Sequence, residues 1–282
     1  MEIKFLKLEA AGNDFVGLDG RNASLPPPAQ WQALVRALCD RHRGIGADGV
    51  LLLSSPENGS GQDFAMRYYN ADGSEGEMCG NGARAMALFA RDSGAAGPSM
   101  RFGTMAGEYT AEALPGAVRV DFPPVPDNPR EAHVHVTLPF GGPVHFLTVG
   151  VPHAVLFVKD VAALDVERLG RALRHDEAFA PAGTNVNFAQ ATGPSELLVR
   201  TYERGVEAET LACGTGSVAA SCCLLHREGR KGPATVTVRP TGGDTLRISA
   251  EPAAGGQGFG NIALEGPARI VFRGVYPWNS TG

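Results

Sequence analysis

Lysine is scarce in this chain of 282 residues: Lys4, Lys7, Lys159 and Lys231 are the only four. None lies in a glycine-rich context of the kind that would hold a Schiff base, which argues against pyridoxal chemistry. Basic clusters are missing too. With 25 Lys and Arg against 30 Asp and Glu the formal charge is −5, the wrong balance for a nucleic-acid partner. No uninterrupted apolar run approaches the roughly 20 residues of a membrane span. Met1 to Leu8 alternates like a strand and carries no signal-peptide core, so no membrane partner and a cytoplasmic location are expected. Cysteine numbers only five (39, 79, 213, 222 and 223). An odd count in a chain of this length does not describe a disulfide framework, and free thiols are expected.

Apolar residues at 43% and charged residues at 20% suit an ordinary folded protein that binds a small molecule. Helical patterning is confined to Gln30–Arg41, a run after Cys79 to Ser93, Val166–His175 and a run after Cys213 to Glu228. Gly94 and Gly229 stand where helix C-caps would be. Strand patterning is abundant, at Phe64–Tyr69, Ala117–Asp121, His133–Leu138, Ala154–Val158, Leu197–Tyr202, Thr235–Val238 and Arg269–Phe272. The class is α+β, rich in mixed or antiparallel sheet. Four prolines between Phe122 and Pro129 read as a connector. The domains are expected at 1–122, completed by 271–282, and at 123–270.

The chain repeats itself. Cys79-Gly80-Asn81-Gly82-Ala83 returns as Cys213-Gly214-Thr215-Gly216-Ser217. Tyr69 and Tyr202 each end a strand about ten residues before the cysteine, and the segment from Gly12 maps near the segment from Val151. In each copy a polar loop leads through Cys-Gly-x-Gly into a nearly uncharged, hence buried, helix. A sulfur at a helix start meets the positive end of the dipole and unsatisfied N–H groups, so its thiolate is favoured. The glycines let a ligand approach the backbone, whose N–H groups could hold a carboxylate. Two such elements in pseudo-symmetric halves imply one site, with a sulfur on each side of a bound carbon. One thiolate would take a Cα proton while the other thiol donates to the opposite face.

Other patterns carry blander readings. Buried core thiols are the reading for Cys39, Cys222 and Cys223. Gly44-Ile-Gly-Ala-Asp-Gly49 matches a dinucleotide fingerprint but leads into a strand instead of opening a helix, so it is rejected. His133 and His135 lack companions at ligand spacing and read as a surface strand, leaving no metal site. Glu203-Arg204 is either a solvated ion pair or part of a site.

Asn70-Ala-Asp-Gly-Ser-Glu-Gly-Glu-Met-Cys-Gly-Asn-Gly-Ala-Arg84 resembles the long signature of bacterial diaminopimelate epimerases. Gly12–Phe15, Arg41–Asp48, Gly183–Phe188 and Tyr202–Gly205 through Ala212–Gly216 resemble the family's other blocks, in order. The resemblance implies interconversion of LL- and meso-2,6-diaminopimelate for lysine and cell-wall synthesis, with no pyridoxal, metal or nucleotide, and a homodimer. It implies two lobes about a pseudo-two-fold axis, each with a sheet around a central helix and the last strand returning to the first lobe. Cys79 and Cys213 match the catalytic pair. Asn13, Asn70, Gly80, Asn81, Asn185, Glu203, Arg204, Gly214 and Thr215 match substrate-holding positions, with His153 and Glu203 flanking the reacting centre. Val151 and Gly49 stand where many members have Asn and some have Gln. Since Val151 offers no polar side chain, a racemase of another amino acid such as histidine is the neighbouring alternative. A thiol-switch protein and a non-catalytic amino-acid-binding module are the others.

Overall fold

The structure is a computed structural model that describes residues 1–21, 25–76 and 78–279. Glu77, within the signature, and the last three residues of the expected completing segment lie outside the described residues. By compactness the chain divides into one unit of Met1–Val120 with Gly266–Gly282 and a second of Asp121–Glu265.

The first unit runs β1 (Glu2–Ala10), β2 (Asn13–Asp19), α1 (Trp31–Cys39), β3 (Gly49–Ser54), β4 (Phe64–Asn70), β5 (Glu75–Gly76), α2 (Gly80–Asp92), β6 (Ser99–Thr104), β7 (Gly107–Leu114) and most of β8 (Ala117–Phe122). The second carries β9 (Arg130–Ala132), β10 (Val144–Val149), β11 (Val151–Phe157), α3 (Val166–Arg174), β12 (Asn185–Gly193), β13 (Glu196–Glu203), β14 (Ala208–Thr210), α4 (Gly214–Arg227), β15 (Ala234–Pro240), β16 (Leu246–Pro252) and most of β17 (Phe259–Gly266). The chain then returns to the first unit as β18 (Arg269–Pro277), antiparallel to β1.

The two units repeat the same wiring. In the first, β1–β2 is antiparallel, β2–β3 parallel, β3–β4 and β4–β5 antiparallel, β4–β6 parallel and β6–β7 antiparallel. In the second, β10–β11, β11–β12, β12–β13, β13–β14, β13–β15 and β15–β16 follow the same directions in the same order. The parallel steps β2–β3 and β11–β12 need crossovers, and α1 and α3 supply them. Each helix buries one stripe: Leu34, Val35 and Leu38 in α1, Val166, Leu169 and Leu173 in α3. Tyr69 stacks on Trp31 at 5.4 Å, while Tyr202 lies so close to α3 that Gly170 has no room for a side chain.

α2 and α4 run through the interior of their sheets. α2 packs on β1, β2, β3, β4, β7 and β18, and α4 on β10, β11, β12, β13, β15 and β16. That encirclement explains why α4 carries no charged residue before its last two positions: every residue from Gly214 to Leu225 is buried. Gly94 (φ 67°) and Gly229 (φ 61°) terminate the two helices in the left-handed region that a side chain would disfavour. The architecture is therefore sheet-dominated α+β, with the buried-helix pattern repeated. Among the described residues no helix is long and apolar enough to cross a membrane.

One expected strand is absent. His133–Leu138 alternates in exposure, with Val134, Val136 and Leu138 packed inward, yet forms no ladder. Its backbone is held by a side chain instead: the N–H groups of His135 and Val136 donate to Asp176 Oδ2 at 2.7 and 3.0 Å. Apolar alternation fixed which side faces the core, while the hydrogen bonds went to a carboxylate.

Candidate active site

Cys79 and Cys213 occupy equivalent positions. Each is the N-cap of its buried helix, in extended conformation, and each sulfur accepts the N–H of the residue three further on: Gly82 to Cys79 at 3.3 Å, Gly216 to Cys213 at 3.4 Å. A thiol thus takes the place of the usual Ser or Asp cap. The first helical bonds, Ala83 N–H to Cys79 O and Ser217 N–H to Cys213 O, complete the match. Gly80 and Gly214 open the helices, where backbone N–H groups have no intrahelical acceptor. Thr215 brings its hydroxyl 3.6 Å from the Cys213 sulfur.

In the first unit a polar chain leads away from the Cys79 turn. Asn81 Nδ2 donates to Asn13 Oδ1, and Asn13 Nδ2 donates to Asp48 Oδ2 at 3.1 Å. Arg41 bridges Asp48 and Asp14, and Lys7 holds Asp14 at 2.5 Å. Burial works against the Asp14 carboxylate, but hydrogen bonds from Arg41 and Lys7 outweigh it and hold its pKa below the usual range. The guanidinium of Arg84, fully buried on α2, donates to Asn81 Oδ1 at 2.9 Å. Asn81 and Asn13 are therefore held with their amide orientations defined. Asn70 stands at the end of β4, its side chain donating to Ser74 Oγ at 3.0 Å across a tight turn.

In the second unit Asn185 begins β12, and its Oδ1 accepts the Arg204 N–H at 2.8 Å. Glu203 ends β13 and accepts the Thr210 hydroxyl at 2.6 Å. His153 is wholly buried on β11. Burial, and secondarily the charge of Arg204, push its pKa down to about 3, so it is neutral at physiological pH. The expected site residues thus fall into two groups: Asn13, Asn70, Cys79, Gly80 and Asn81 within the first unit, and His153, Asn185, Glu203, Arg204, Cys213, Gly214 and Thr215 within the second.

The three remaining cysteines differ in kind. Burial raises the Cys39 and Cys222 thiols to about 12 and Cys223 well above its ordinary value, so all three stay protonated. Lys7 is engaged by Asp14, and Gly44–Gly49 leads from α1 into β3 rather than opening a helix. Among the described residues no three of His, Cys, Asp and Glu converge as a metal-binding group.

The sequence profile of the diaminopimelate epimerase family matches residues 5–121 and 145–259. The chain belongs to the diaminopimelate epimerase family. Full-length relatives agree: it is 40% identical to diaminopimelate epimerase of Aquifex aeolicus over 96% of this chain and 97% of that one. It is 42% identical to that of Burkholderia thailandensis over 98% of each. Solved structures support the fold. A PhzF-family protein of Bacillus anthracis superposes with a TM-score of 0.77 at 13% identity over 99% of this chain and all of that one. A hydroxyproline epimerase of Agrobacterium vitis gives 0.70 at 18% identity over 97% and 92%.

Diaminopimelate epimerases are isomerases. The site geometry also contains residues that pattern reading did not single out: Asp48 and Arg84 behind Asn13 and Asn81, and Asn187 and Thr201 behind His153. Asn187 was legible as the second of two asparagines at Asn185 and Asn187, which face the same side of a strand. Arg84 was hidden because an arginine in a largely apolar helix reads as its exposed edge.

Proposed function

We propose that this chain interconverts LL- and meso-2,6-diaminopimelate, the lysine and cell-wall precursor, by proton transfer between two cysteines without pyridoxal. The observation that carries the reading is the duplicated thiol cap: two sulfurs, each receiving an N–H from the first turn of a buried helix.

Inversion at Cα requires a base on one face and an acid on the other, and the duplication supplies one thiol per unit. With Cys79 as thiolate and Cys213 as thiol, proton removal and delivery give one isomer; the exchanged protonation states serve the reverse direction. No electrons are gained or lost. The Cα proton is much less acidic than a thiol, so developing charge must be stabilised, each tenfold in rate corresponding to about 1.4 kcal/mol. Backbone N–H groups of Gly80, Asn81, Gly214 and Thr215 would receive the reacting carboxylate. Asn13, Asn70, Asn185, Glu203 and Arg204 would hold the distal ammonium and carboxylate, replacing lost hydration with amide, carboxylate and guanidinium partners.

The family resemblance further suggests a cytoplasmic homodimer, which ultracentrifugation of the purified protein tests. The test of substrate is incubation with LL-diaminopimelate, with no added cofactor, and chromatographic separation of the meso product. Formation of meso product supports the assignment. Turnover of L-histidine but not of diaminopimelate would overturn it and make the lost polar group at Val151 the reason.

A further inference from the structure

The strand registers allow the two units to be matched residue by residue, and the match exposes a difference beneath the two cysteines. Phe15 pairs with Gly49, and Leu51 with Tyr68; at the same registers His153 pairs with Asn185, and Asn187 with Thr201. Asn13 thus corresponds to Val151, one residue from the alignment that sequence similarity suggests. Phe15, Leu51 and Tyr68 therefore correspond to His153, Asn187 and Thr201. The first unit places two aromatic rings and a leucine there, with Phe15 and Tyr68 in edge contact at 6.2 Å. The second has a buried polar triad.

Hydrogen bonding defines that triad without ambiguity. The Ala154 carbonyl can only accept, so the Asn187 atom 3.0 Å from it is Nδ2, and Oδ1 accepts the Thr201 hydroxyl at 3.0 Å. The same Nδ2 lies 3.2 Å from His153 Nδ1. A donor facing Nδ1 requires a lone pair there, which places the imidazole proton on Nε2. Nε2 is buried, with no hydrogen-bond partner among the described residues. An unmade bond from a buried donor costs on the order of 1–3 kcal/mol, and the phenyl ring of Phe15 at the equivalent position shows that the fold does not need an imidazole there. Asn187 also packs under the Cys213 turn: a methyl group on Gly216 would overlap its Oδ1, whereas on Gly82 it would meet the Leu51 side chain at 3.1 Å.

We propose that His153 is a fixed neutral Nε2–H donor to a carboxylate oxygen of the amino-acid substrate, that Asn187 is the positioning residue that sets this tautomer, and that His153 carries no proton during inversion. The proposal rests on the amino-acid substrate assigned above. Arg204 is the charged group that bears on the imidazole, and its positive charge disfavours a second proton on the ring. The neighbours on the adjoining strands, Leu147, Asn185, Asn187 and Thr201, do not titrate.

The test is nitrogen-15 NMR of the histidine side chains in the full-length protein without substrate, His153 being assigned by its loss in His153→Gln. The expected result is an Nε2–H tautomer that does not titrate between pH 5 and 9. In Asn187→Asp the carboxylate accepts from the ring, so the proton moves to Nδ1, KM rises and a new ionisation enters the pH profile; a merely structural role for Asn187 would move stability alone. Gln keeps an N–H where Nε2 stands but cannot shuttle a proton, so His153→Gln should lose about tenfold, mostly in KM, one hydrogen bond being worth about 1.4 kcal/mol. An Nδ1–H tautomer, titration near neutrality, or loss of kcat beyond a thousandfold in a folded His153→Gln overturns the proposal. The tautomer is read without substrate, so a wrong tautomer sinks the inference even in an active epimerase. An inactive protein with the expected tautomer sinks the proposed function instead.

Discussion

Acidification should selectively destabilise the wild-type protein through His153. In the folded state its pKa is lowered from 6.5 to about 3, because burial disfavours the imidazolium. On unfolding the ring regains its ordinary affinity for protons. Below pH 6.5 the unfolded state therefore binds a proton that the folded state does not, and stability falls with pH until about pH 3; above 6.5 the group contributes no pH dependence. At pH 5, about 1.5 units below the ordinary value, the loss is about 2 kcal/mol at 1.36 kcal/mol per unit. The perturbation is His153→Gln, which keeps an N–H but cannot titrate. Urea unfolding followed by far-ultraviolet circular dichroism at pH 8 and pH 5 gives four stabilities. Wild type should lose about 2 kcal/mol more than the variant between the two pH values. Half-buried His145, also lowered by burial, cancels because both proteins contain it. Equal losses in the two proteins would refute the reasoning, since they would mean that the ring charges in the folded state.

Three further outcomes follow from the geometry. Gly216→Ala must displace Asn187 beneath the Cys213 turn and should cost about 1–3 kcal/mol in stability along with most of the activity. On Gly82 the added methyl meets the Leu51 side chain at 3.1 Å and the Cys79 Cβ at 3.2 Å, milder than the overlap with Asn187 Oδ1 at Gly216, so Gly82→Ala should cost less, as paired thermal melts and rate assays would show. Asp48→Ala removes the acceptor for Asn13 and one anchor of Arg41. It should raise KM about tenfold, roughly one hydrogen bond, with a smaller change in kcat. Alkylation of the native protein should modify half-buried Cys79 first, while Cys39, Cys222 and Cys223 react only after unfolding; rapid native labelling of Cys222 would contradict their assignment as core thiols.

Much of this architecture was legible because it is written twice. The four main helices follow their apolar stripes, α2 and α4 end at glycine stops, and Cys-Gly-x-Gly marks both helix starts that cap on sulfur. The exceptions share a physical cause: they depend on which distant group satisfies a polar atom. The segment from His133 has strand-like alternation, yet its N–H groups go to Asp176 across the fold. Arg84 and Asn187 look like ordinary helix and strand residues until their hydrogen bonds are seen. The correspondence of His153 with Phe15 emerges only from strand register, because the two side chains share no chemistry.

The measurement that bears most directly on the two-thiol reading is early-turnover labelling in deuterated water. Each diaminopimelate isomer is supplied in turn, and deuterium is located in product and in recovered starting material. With separate acid and base, the first product formed in either direction carries solvent deuterium at the inverted carbon while the recovered starting isomer carries almost none. Replacing either Cys79 or Cys213 by Ser abolishes inversion. Product that retains the original hydrogen, or inversion that survives in either variant, would contradict the account.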